Sequence, residues 1–133
     1  MLNCWKTLAA AAALLSAATA SAQQANSEQY RMDGLEVTVV SHAFLTDEEL
    51  MTLRLVGQNR DALSLFVPEG DGYAALAVAP AEGFVRAGEP VPSAIAMAGL
   101  PDIDSARSSA LEACNSVRQS GAECQIVLEI APE

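Results

Sequence analysis

Between residues 104 and 130 the apolar positions change period. Ala106, Ala110, Leu111, Cys114 and Val117 recur at intervals of three and four, which gathers them on one helical face while Arg107, Glu112 and Arg118 point elsewhere. Asp104 is the expected N-cap, since its short carboxylate accepts from a first-turn N–H and its charge suits the positive end of the helix dipole. Gly121 is the expected C′ stop. Beyond it the period falls to two. Cys124, Ile126, Leu128 and Ile130 share one face of a strand, and Glu123, Gln125, Val127 and Glu129 the other.

Earlier in the chain, residues 35–39 alternate and are β-branched, which predicts a first strand. Thr46 and Glu49 form a capping box, and Leu45 can pack on Leu50 as a hydrophobic staple, so two devices agree on a helix start. Leu50, Met51, Leu53, Leu55 and Val56 carry its apolar face to Gly57. Residues 63–67 read as a short strand ended by Pro68. A turn over 69–72 would join it in a hairpin to a strand at Tyr73–Val78. Residues 81–92, rich in Gly and Pro, read as an exposed loop, and residues 94–98 as a buried strand.

The resulting order is β-α-β-β-β-α-β. The economical packing is an α+β fold of two layers, a mostly antiparallel sheet with two helices on one face. Cys114 and Cys124 fall on the buried faces of neighbouring elements, so a helix-to-strand disulfide is geometrically reasonable; two buried free thiols are the alternative. Closing that short loop would stabilise by about 2.5–3 kcal/mol on the chain-entropy model.

The first 22 residues alter this picture by adding a compartment. Lys6, an apolar run over 8–15 and the small residues Ala20, Ser21 and Ala22 have the layout of a secretory signal peptide, with cleavage expected between Ala22 and Gln23. Cys4 precedes the apolar run, so a lipid anchor is not indicated. A polar arm over 23–31 and a single domain over 32–133 complete the expected organisation, with a periplasmic or secreted destination.

Residues 23–133 hold six arginines, no lysine and all 17 carboxylates, a formal net charge of −11. Such a surface repels phosphate backbones and anionic lipid, so neither nucleic acid nor membrane is an expected partner after cleavage. The core is poor in large rings, which makes a covalent staple useful.

The segments Tyr73–Val78 with Ala79-Pro80, Ala106-x3-Ala110-Leu111-x2-Cys114, and Cys124-x-Ile126-Val127 resemble a group of small exported bacterial proteins. They are similar in outline to the DUF4189 type of domain, in which a Y-A-A-I-A-like strand precedes an A-x3-A-L-x2-C helix and a C-x-V-V strand. The resemblance implies fold and cystine, and no chemistry. Some short proteins of this outline carry the label 5-aminolevulinate synthase. That reaction needs pyridoxal phosphate on a lysine, and residues 23–133 contain none.

No nucleophile motif, zinc motif or phosphate loop is present, and neither a catalytic residue nor a cofactor or metal is assigned. The acidic run Asp47, Glu48 and Glu49 suits a helix start. The turn at 69–72 offers two carboxylates where calcium takes about six to eight oxygens. His42 is read as a surface or half-buried histidine, and Asp102 and Asp104 as capping groups. The expected function is a binding or structural module of the cell envelope. Its partner would be an unidentified protein or small molecule, with Phe84 and Val85 in the Pro/Gly loop as the candidate contact residues. A small secreted enzyme or an enzyme inhibitor is the alternative.

Overall fold

The computed structural model describes residues 26–68 and 71–133. The expected signal peptide and its cleavage site lie outside the described residues. The strands are β1 (Asn26–Met32), β2 (Leu35–Ser41), β3 (Tyr73–Val78), β4 (Val85–Arg86), β5 (Glu89–Pro90), β6 (Ile95–Leu100) and β7 (Gln125–Pro132). The helices are α1 (Asp47–Gln58), α2 (Arg60–Phe66) and α3 (Ile103–Val117). Five strands form one sheet in the order β1-β2-β7-β3-β6, with every neighbouring pair antiparallel, and β4 and β5 form a separate ribbon. The α+β class, the antiparallel sheet and the Cys114–Cys124 disulfide thus agree with expectation.

The distribution of helices does not. Alternate residues of β3 serve two separate cores: Ala74, Leu76 and Val78 pack with Leu53, Val56 and Leu63 of α1 and α2, and Ala75 and Ala77 pack with Ala106, Ala110 and Cys114 of α3. There are three helices, and they cover both faces of the sheet in a three-layer arrangement. The cause lies in β7. Leu128 pairs with Leu76, but Ala77 pairs with Ile126, so Val127 is an extra, fully buried residue at a β-bulge. A slip of one residue exchanges faces. Ile126, with Cys124 just before the strand, therefore points to α3, and Leu128 and Ile130 point to α1 and α2, instead of all four sharing one face.

The segment expected as a strand at 63–67 is helical. Asn59 caps α2, its side-chain carbonyl accepting from the Ala62 N–H at 3.0 Å, and Leu63 and Val67 are buried at a spacing of four. An apolar run this short satisfies either period, so the cap decides. The hairpin with β3 accordingly does not form; β3 pairs with β6 and β7.

The polar arm expected over 23–31 instead holds the edge strand β1. It joins β2 through Asp33 and Gly34, both with positive φ (47° and 78°), the conformation that Asp-Gly favours in a two-residue hairpin. Its half-buried residues Glu28, Tyr30 and Met32 include a charge, which hides the alternation; Arg54 of α1 forms an ion pair with Glu28 at 2.8 Å.

The capping box is as expected: the Glu49 N–H donates to Thr46 Oγ1 and the Thr46 N–H to Glu49 Oε1, both at 3.1 Å. At α3 the cap lies two residues earlier than expected. Asp102 Oδ1 accepts from the Ser105 N–H at 2.7 Å, and those Ser105 bonds hold its carboxyl below the usual range. The helix ends at Val117 with Arg118 as C-cap, so Gly121, although left-handed (φ 84°), belongs to the following connection. Asp102→Ala should therefore lower the thermal midpoint more than Asp104→Ala. The reverse order in a melting comparison would restore Asp104 as the cap.

Candidate functional site

The segment expected to expose Phe84 and Val85 does the opposite. Phe84 is 1% exposed and Val85 7%. Phe84 packs edge-on to Phe66, with ring centroids 5.8 Å apart. These two residues are part of the core on the α1/α2 face, so neither can meet a partner.

Their anchor is Glu49, a fully buried carboxylate at the third residue of α1. Glu49 Oε2 accepts from the Phe84 N–H at 2.6 Å and the Val85 N–H at 3.2 Å. Oε1 takes the Thr46 N–H and an ion pair with Arg86 Nη2 at 3.4 Å. Burial by itself pushes the Glu49 carboxyl up; the amides of Phe84, Thr46 and Val85, with the Arg86 guanidinium, outweigh it and hold the group below its usual range. Gly83 permits this approach. With φ at 72° it adopts a conformation rare for other residues, and a Cβ there would collide with Glu49 Oε2 and Arg86 Nε. The side chain that caps α1 thus also ties down the segment after β3. With both oxygens accepting from backbone amides, it has the character of a structural tie.

His42 is likewise engaged. Its Nε2 lies 2.8 Å from the Ile126 carbonyl, an acceptor, so that nitrogen carries the proton and donates; the ring stacks on Phe44 with centroids 4.9 Å apart. It ties the end of β2 to the bulged start of β7. No cluster of three or more His, Cys, Asp or Glu arranged to hold a metal occurs among the described residues.

A cleft of about 350 Å³ with room for a ligand lies between α2 and one end of the sheet. Four adjacent strands make its floor: Leu35 at the start of β2, Ile130 near the end of β7, Ala74 at the start of β3 and Ala98 in β6. Ala74 and Ile130 are direct register partners. Small side chains at 74 and 98 leave room in the sheet face beneath Leu63 and Val67. Arg60 and Ser64 of α2 line one wall, and Asp71 and Gly72, ahead of β3, line the other.

Arg60 makes no ion pair among the described residues, and its hydrogen bond there is a long one, 3.4 Å to the Asp33 carbonyl. The Asp71 carboxylate accepts no hydrogen bond from a described residue. Ser64 Oγ donates to the Asp61 carbonyl at 2.7 Å and keeps its lone pairs for another donor.

None of these lining residues stands out in the sequence. They lie in five separate segments and belong to ordinary types, and the signal that bears on them is the cap at Asn59, which fixes α2 as a helix and thereby places Arg60, Ser64 and Val67 over the sheet. No family model, curated protein or solved structure matches the chain.

Proposed function

We propose that the protein is an exported binding module of the cell envelope, and that it holds a small molecule in the cleft beneath α2. The observation that carries this reading is the cleft itself: a floor of Leu35, Ala74, Ala98 and Ile130 across four strands, walled by an arginine and an aspartate that form no ion pair with a described residue. Its volume lies at the lower end of the roughly 300–1,000 Å³ range of small-molecule sites. The disulfide accords with an oxidising compartment, which the signal-like first 22 residues also favour.

The full chain produced in a bacterium and recovered from a periplasmic extract tests both parts. The denatured mass should equal residues 23–133 less two hydrogens, rising by two hydrogens with reductant. Small-molecule screening by NMR should move the amides of Leu63, Val67, Ala74 and Ala98 together, and Ala98→Leu, which fills the cleft, should abolish those shifts while the remaining spectrum stays folded. A full-length reduced chain in the cytosol would overturn the export. Shifts confined to the exposed Met51, Leu55 and Leu65, or none from any compound, would overturn the cleft.

A further inference from the structure

We infer that the protein pairs with a second copy of itself through β6, so that two five-stranded sheets continue into one; this holds whether or not the cleft takes a ligand. The sheet ends on β1 at one side and on β6 at the other, and no described strand pairs with the outer side of either. The two edges differ. β1 carries Glu28 and Arg31, charges of the kind that blunt an edge. β6 reads Ile95-Ala96-Met97-Ala98-Gly99-Leu100, without a charge or a proline. Both of its faces are apolar: Ile95, Met97 and Leu100 pack toward α3, and Ala96 and Ala98 toward the core under α1 and α2. That is the composition of a strand covered on both faces inside a sheet. Yet none of its six residues is fully buried, and alternate backbone groups on its outer side have no ladder partner among the described residues.

Charge selects the occupant. Residues 23–133 carry a formal −11, so copies repel one another except where a contact is free of charge, and β6 is such a place. A two-fold axis through the seam sets β6 antiparallel to its copy, with no like charges face to face along the paired strands. The helix above continues this surface. Arg107 reaches Glu129 of β7, which turns the other flank of α3, with Ser105, Ser109 and Ala113, toward the β6 side, where it would lie beside its copy. Pairing β6 with β1 of another copy would instead run head to tail, set Glu28 and Arg31 against an apolar strand and leave a free edge at each end. A six-residue strand gives a seam about 20 Å long. One strand and one helix flank make a small interface, so the dimer should be reversible, with a dissociation constant in the micromolar range.

Sedimentation equilibrium of the purified oxidised chain over a wide concentration range should show monomer and dimer. The dimer should tighten with added salt, because screening weakens the repulsion between two acidic bodies and leaves an apolar seam intact. Met97→Lys should weaken it by about tenfold or more, since a charge would be buried at the seam without a partner. Gln29→Lys, on the other edge, should leave it unchanged. Met97 also packs beneath α3, so Ser109→Glu, on the helix flank, gives a second variant that spares the strand and should weaken the dimer too. Hydrogen exchange on the unaltered chain locates the seam directly: amides of β6 should slow as concentration rises, and those of β1 should not. A chain monomeric at every concentration, or a dimer that loosens with salt, would overturn the inference. So would a dimer broken by Gln29→Lys and indifferent to Met97→Lys and Ser109→Glu, or β6 amides whose exchange ignores concentration.

Discussion

Glu49→Ala should destabilise the protein by about 3–5 kcal/mol, a large share of the roughly 5–15 kcal/mol that holds a domain of this kind together. The substitution removes the acceptor for two buried amides, Phe84 and Val85, and for the Thr46 N–H that closes the capping box. Each orphaned buried donor costs about 1–3 kcal/mol, and Arg86 loses the carboxylate beneath it. Glu49→Gln keeps the shape and one acceptor oxygen, so about half the loss is expected. Denaturant unfolding gives the magnitudes. Hydrogen exchange supplies the mechanism, because protection at Phe84 and Val85 should collapse in the alanine variant before protection in α3 does. An alanine variant within about 1 kcal/mol of the parent would show that the carboxylate is not the tie.

The same group sets a direction with pH. The folded carboxyl of Glu49 lies below its ordinary value of 4.5, so the folded state favours the ionised form. The stability this contributes is fully present above the unfolded value and is lost as pH falls through the depressed folded one. Glu28, lowered by the hydrogen bond from Arg54 and then by that from Tyr30, and Asp102, lowered by the Ser105 bonds, add to the same acid limb. Stability should therefore drop below about pH 4.5, and the drop should be shallower in Glu49→Gln, which has no proton to take up there.

Local signals read well wherever two of them agreed. Thr46, Glu49, Leu45 and Leu50 together announced α1, and the change of period from Ala110 to Ile126 announced α3 and β7. Single signals misled. The run at 63–67 satisfied a strand pattern until Asn59 capped it as a helix, and the polar residues of β1 hid the strand that the Asp33-Gly34 turn joins to β2. The bulge at Val127 is the costliest of these, because alternation read straight through it assigns one core face where the sheet has two. Phe84 and Val85 sat in a Gly- and Pro-rich segment that composition marks as exposed, but their backbone amides found a buried carboxylate 35 and 36 residues away. The cleft was illegible for a related reason: its floor consists of residues that are close only because β2, β7, β3 and β6 are neighbours in the sheet.

The α3 side of the sheet is where the disulfide matters. Its fully buried members besides the cystine are Ala75, Ala77, Ala79, Ala106 and Ala110, so large side chains contribute only from the half-buried periphery, through Tyr73, Ile95, Met97, Leu100, Ile103, Leu111 and Ile126. An alanine core brings helix and sheet close but removes little apolar area per residue, and a crosslink offsets the shortfall by restricting the unfolded chain. The sequence separation is 10 residues, for which the chain-entropy model gives about 2.5–3 kcal/mol. Reduction, or the double change Cys114→Ala with Cys124→Ala, should cost about that much. It should not release the loop entirely, because Asn115 Oδ1 still accepts from the Cys124 N–H at 2.9 Å and from Arg118 Nε at 2.9 Å, and Arg118 donates to the Gly121 carbonyl at 2.7 Å. The pattern of loss is therefore specific. Amide protection should fall first at the end of α3 and the start of β7, while the Glu49 tie on the opposite face persists, and thiol labelling in mild denaturant should trap that intermediate opening. If reduction left stability within about 0.5 kcal/mol, or loosened both faces together, the alanine face would not depend on its staple, and the two cores would have to be one cooperative unit.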